Sequence, residues 1–96
     1  MRETVYHKLG IKIPLEEISL IVKPLNYTPD EKNITADVYY FRKGEFHARI
    51  TPQKSRVEIS LCKDVATCGR YKMITSGADI SKELKHIKKA LEDRLI

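Results

Sequence analysis

The fold of this chain turns on NITADVYYFRKGEFHARITPQKSRVEISLC, residues 33–62. It reads as three consecutive antiparallel strands joined by two tight turns. At the first turn a three-residue loop of Arg42, Lys43 and Gly44 is expected, because such loops need a residue at positive φ and Gly44 adopts one without steric cost. That loop pairs Tyr40 with Phe46, Val38 with Ala48 and Ala36 with Ile50 on one apolar face. The other face then pairs Phe41 with Glu45, Tyr39 with His47 and Asp37 with Arg49. A two-residue loop at Lys43 and Gly44 would mix apolar and charged residues on both faces. A one-residue slip inverts every side chain, so the apolar pattern selects the register.

The second turn is read as a four-residue loop of Pro52, Gln53, Lys54 and Ser55, with Pro52 placed where the ladder has ended. It pairs Ile50 with Val57, Ala48 with Ile59 and Phe46 with Leu61. One apolar and one polar face is the pattern of an antiparallel sheet covered on a single side.

On the N-terminal side, residues 1–13 alternate weakly at Val5, His7, Leu9, Ile11 and Ile13, as an edge strand or an ordered arm ended by Pro14. Residues 15–23, LEEISLIVK, carry mixed signals. Pro14, Glu16 and Glu17 suit a helix start. Ile18, Leu20 and Val22 alternate, however, and Ile21 and Val22 are β-branched, so a strand running to about Tyr27 is expected. Residues 28–33 are a turn by composition.

On the C-terminal side, residues 63–69 form a loop, and residues 70–75 read as a further meander strand with Tyr71 and Met73 inward and Lys72 outward. Ser76 or Asp79 caps a last helix. Its stripe of Ile80, Leu84, Ile87, Leu91 and Leu95 is amphipathic. The helix most simply covers the apolar face of the sheet. The expected fold is therefore α+β: an antiparallel β-meander of four to five strands with a C-terminal α-helix packed on one face, in two layers. A chain of 96 residues builds one core, so residues 1–96 are read as a single domain.

Apolar residues make up 42% and charged residues 32%, the balance of a globular protein rather than a disordered one. No apolar run approaches the roughly 18 residues that span a bilayer, and the N-terminus lacks a signal-peptide core. A cytoplasmic protein without membrane contact is expected. Asn26, Asn33 and Gln53 are the only side-chain amides, whereas Lys, Arg and Glu abound, a thermophile-like bias.

Residues 42–72 hold eight basic and three acidic residues, so this segment accounts for the whole net charge of +5. Localised basic charge points to an anionic partner. In a meander, Arg42, Lys43, Lys63, Arg70 and Lys72 fall at one edge, with Tyr39 and Phe41 on the adjacent outer face. Basic side chains neutralise phosphates and aromatic faces stack unpaired bases. These seven residues are the expected nucleic-acid site, for single-stranded DNA or RNA. The alternative is a homodimeric adaptor or regulator that meets an acidic protein surface through its outer face or helix, with Phe41 and Leu91 in the contact.

No enzyme is expected. His47, placed beside Tyr39 and Ser60 on an open strand face, lacks the pocket and oxyanion site that catalysis needs. The glycines are isolated, so no phosphate loop is present, and no cofactor is expected. Cys62 and Cys68 alone cannot complete a four-ligand zinc site, so no metal is expected. The two thiols are close enough in sequence to close a short disulfide loop, which would be unusual in a cytosolic protein outside hyperthermophiles.

Overall fold

The computed structural model describes residues 1–64, 73–74 and 77–95. Its elements are β1 (Arg2–Tyr6), α1 (Leu15–Val22), a 3-10 turn (Lys23–Leu25), β2 (Thr28–Pro29), β3 (Tyr39–Lys43), β4 (Phe46–Pro52), β5 (Arg56–Asp64), β6 (Met73–Ile74) and α2 (Ala78–Leu95). The sheet is antiparallel, in the order β1-β5-β4-β3-β2, and β6 pairs with the end of β5. The meander runs from β2 to β5, and the N-terminal strand adds outside β5. Both helices cover one face, in the expected two-layer α+β architecture.

Helix α2 buries the whole stripe read from the sequence: Ile80, Leu84, Ile87, Leu91 and Leu95. Each buried Leu or Ile is worth roughly 1.5–3 kcal/mol, so the stripe alone fixes the helix to the sheet. Against the sheet and α1, Leu91 is a fully buried core residue.

Residues 15–22 form a helix, not the expected strand. Ile18, Ile21 and Val22 are buried, with Leu25 packed behind them, while Leu20 is exposed. That spacing of three, one and three has the helical period, and it outweighs the alternation of Ile18, Leu20 and Val22. Pro14 precedes the first turn, which Glu16 and Glu17 occupy. Asn26, at φ 69, ends the 3-10 turn in the left-handed conformation that Asn tolerates.

The first turn also differs from expectation. Lys43 pairs with Phe46, Phe41 with Ala48 and Tyr39 with Ile50, so Gly44 and Glu45 form a two-residue loop. Gly44 takes φ 56 at its first position, as a type II′ hairpin requires. Relative to the expected register β3 slips by three residues, and an odd slip exchanges its faces. Tyr39 and Phe41 turn into the core, and Tyr40 and Arg42 turn out. Two large rings opposite Ala48 and Ile50 bury more surface than Ala36, Val38 and Tyr40 would. Ala36 and Asp37 are held out of the ladder by a turn in which the Val38 amide donates to Thr35 Oγ1.

The second turn is tighter than expected. Pro52 pairs with Val57 inside the ladder, and the Gln53 amide donates to the Arg56 carbonyl at 2.8 Å. This shift is even, so Ala48, Ile50, Val57, Ile59 and Leu61 keep the inward orientation read from the sequence.

Candidate nucleic-acid interface

Both helices lie on one face, among the described residues no helix lies on the other, and the ladder pairings fix which side chains that face presents. One row across the strands is Thr28, Arg42, His47 and Cys62. The next is Tyr40, Arg49, Ser60 and Arg2. Thr51, Glu58 and Thr4 follow, and then Arg56 opposite Tyr6. Four of the six arginines of the chain therefore share this face.

The rows are not spread evenly. Arg42 and Arg49 are diagonal neighbours on β3 and β4, at about 7–8 Å between backbones. Ser60 alone separates Arg49 from Arg2, two strand spacings of about 4.8 Å. Tyr40 lies directly across from Arg49. Arg2, Arg42 and Arg49 are exposed, and among the described residues their guanidinium groups have no acidic partner. Arg56 pairs with Glu58 at 3.5 Å. Glu58 is the one carboxylate among the described side chains of the face, and Asp37, expected to interrupt it, instead pairs with Lys12 at 2.8 Å outside the ladder. Tyr6 is 66% exposed.

The lysines behave differently. Lys43 and Lys63 lie on the helix side of the sheet, in one row with Phe46. Lys43 Nζ donates to Glu83 Oε1 at 2.9 Å and sits 5.6 Å from the centre of the Tyr27 ring. Lys63 Nζ lies 2.9 Å from Asp79 Oδ2 and 3.3 Å from Glu45 Oε2. The hydrogen bond from Lys63, then that from the Ile80 amide, hold the Asp79 carboxyl below its ordinary value. These contacts fasten the Gly44 turn and the end of β5 to the first turns of α2.

The residues singled out in the sequence are thus divided. Arg42 lies on the open face. Lys43 and Lys63 are engaged by carboxylates on the opposite face. Tyr39 and Phe41 are 6% and 1% exposed, so the expected pair of outward aromatic rings is corrected: neither offers a face to a base. Burial of Phe41 equally removes it from any protein contact. Arg70, Lys72 and Cys68 lie outside the described residues, and so does the Cys62–Cys68 pairing; Cys62 itself is half-buried. His47 has Arg42 and Cys62 as its ladder neighbours rather than Tyr39 and Ser60.

Arg2, Arg49, Arg56, Tyr6 and Tyr40 were not among the expected site residues. Arg49 and Arg56 carry a signal, since both alternate with the core residues Ile50 and Val57. Tyr40 was hidden by the register of β3, and Arg2 and Tyr6 by the weak pattern of the first residues.

Among the described residues no helix is long and apolar enough to cross a membrane, and no three His, Cys, Asp or Glu side chains gather as a metal site would need. No family model, no curated protein and no solved structure matches the chain.

Proposed function

We propose that this is a small cytoplasmic nucleic-acid-binding protein, and that it holds a single strand of DNA or RNA against the uncovered face of its sheet. The observation that carries the reading is the segregation of arginine: Arg2, Arg42 and Arg49 neighbour one another, with Arg56 two rows away, on the face that no helix among the described residues covers. Arginine's planar fork matches phosphate oxygens in pairs and also stacks on bases. An exposed guanidinium without a carboxylate partner is available for that work, which distinguishes Arg2, Arg42 and Arg49 from the engaged Lys43 and Lys63. Tyr40, amid the arginines, and Tyr6, at the rim, supply rings on which unpaired bases stack. The arrangement differs from the expected one in its location: the face replaces the sheet edge, and Tyr40 and Tyr6 replace Tyr39 and Phe41.

The test is fluorescence anisotropy of labelled single-stranded and duplex oligonucleotides. The single strand binds more tightly than the duplex. Tyr40→Ala weakens single-strand binding by about 1–3 kcal/mol, the worth of one stacked base, and leaves duplex binding nearly unchanged. Equal loss on both substrates, or none, contradicts stacking. Absence of binding to either returns the face to the alternative reading, an adaptor surface for an acidic protein.

A further inference from the structure

We infer that β1 is a self-pairing edge, and that two copies of the chain join antiparallel through it into one continuous sheet. The inference does not rest on the nucleic-acid reading.

The two edges of the sheet are built differently. β2 is two residues long and contains Pro29, so that edge offers little ladder to a newcomer. β1 is five residues, RETVY, without proline or a bulge. The direction of its backbone groups follows from the bonds to β5. Met1 and Leu61 exchange both hydrogen bonds, at 3.2 and 2.9 Å, and the His7 amide donates to the Ser55 carbonyl at 2.9 Å. Antiparallel pairs alternate between bonded and non-bonded. The odd residues Met1, Glu3, Val5 and His7 therefore face β5, and the N–H and C=O groups of Arg2, Thr4 and Tyr6 point out of the sheet. Among the described residues none of these outward groups has a partner.

A two-fold axis at Thr4 satisfies all of them together. Arg2 then meets Tyr6 of the second copy, Thr4 meets Thr4, and Tyr6 meets Arg2. Each such pair exchanges two backbone hydrogen bonds. The side chains agree with this register. Arg2 lies across from an aromatic ring, an arrangement that favours a cation over its face. Glu3 lies across from Val5 and is already matched by Lys88 of its own chain at 3.5 Å. Moving the axis one residue toward the N-terminus along the same parity would set Glu3 against Glu3, which like charges oppose. The even side chains all belong to the uncovered face, so the pairing extends that face from one copy to the next.

Proline at an edge position whose N–H faces solvent is compatible with a strand, so Thr4→Pro removes the central intermolecular donor and keeps the bonds to β5. Sedimentation equilibrium of the full chain shows a concentration-dependent dimer, and Thr4→Pro sediments as a monomer with an unchanged circular dichroism spectrum. Amide exchange of the unmodified protein gives an independent reading. The Thr4 and Tyr6 amides exchange quickly in dilute solution and become protected as concentration rises, in step with the dimer. A monomer up to millimolar concentration, a dimer that survives Thr4→Pro, or rapid exchange of both amides at every concentration overturns the inference.

Discussion

At Glu83 a single carboxylate oxygen accepts two hydrogen bonds, from Tyr27 Oη at 2.8 Å and from Lys43 Nζ at 2.9 Å. Burial raises the carboxyl's pKa, but the hydrogen bonds from Lys43 and Tyr27 and the Lys43 charge outweigh it, and the net shift is downward from 4.5. Tyr27 moves the other way: burial, then the bond to Glu83, keep its phenol protonated well beyond the usual range. A carboxyl depressed in the folded state stabilises above its unfolded value and loses that contribution as pH falls through the folded value. The thermal stability of the unmodified protein should therefore fall as pH drops below 4.5, and Glu83→Gln should flatten that acid limb while lowering stability at neutral pH. Tyr27→Phe removes one hydrogen bond to a charged acceptor and should cost about 1.5–3 kcal/mol at neutral pH, read from urea unfolding. Both substitutions lie on the helix side, so neither should alter binding at the outer face.

At the scale of elements, the Gly44 turn sets which residues of β3 face the helices. No neighbour obstructs a side chain at Gly44, so the cost of Gly44→Ala is conformational. Holding alanine at φ 56 should lower stability by about 1–2 kcal/mol, measured by urea unfolding. Leu91→Ala should cost about 2–5 kcal/mol, as a large-to-small change in a core does, and leave self-association unchanged. A loss of association without a loss of stability would make α2 a dimer seam. How legible these elements were depended on how many signals agreed. Five consecutive stripe residues, from Ile80 to Leu95, define α2 in sequence. The inward sides of β4 and β5 follow from Ala48, Ile50, Val57, Ile59 and Leu61. Helix α1 spans eight residues between Pro14 and Pro24, where strand and helix periods overlap. β3 has aromatic residues at Tyr39, Tyr40 and Phe41 in succession, so hydrophobicity alone does not choose its face. The turn chooses it, and both turn lengths place a glycine acceptably.

Across the whole molecule, lysines and arginines occupy different places. Lys43, Lys63 and Lys88 bind Glu83, Asp79 and Glu3 on the helix side of the sheet. Arg2, Arg42 and Arg49 project from the other side without acidic partners among the described residues. Sequence showed the excess of positive charge but not this division, because an error of one strand face at β3 moved Arg42 away from Arg49 and brought Asp37 in. Local charge counting cannot see a ladder register. If the arginine face binds nucleic-acid phosphates, single-strand affinity depends on salt in proportion to the phosphates neutralised. With three to four phosphate contacts, affinity should fall about 20- to 50-fold between roughly 50 and 200 mM salt. The Arg42→Ala/Arg49→Ala double variant should bind more weakly and lose about 1.4 from the logarithmic salt slope, two contacts at about 0.7 each. The Lys43→Ala variant should keep the full slope. A slope unchanged in the double arginine variant, or reduced as much by Lys43→Ala, would mean that the arginine face does not hold the phosphates.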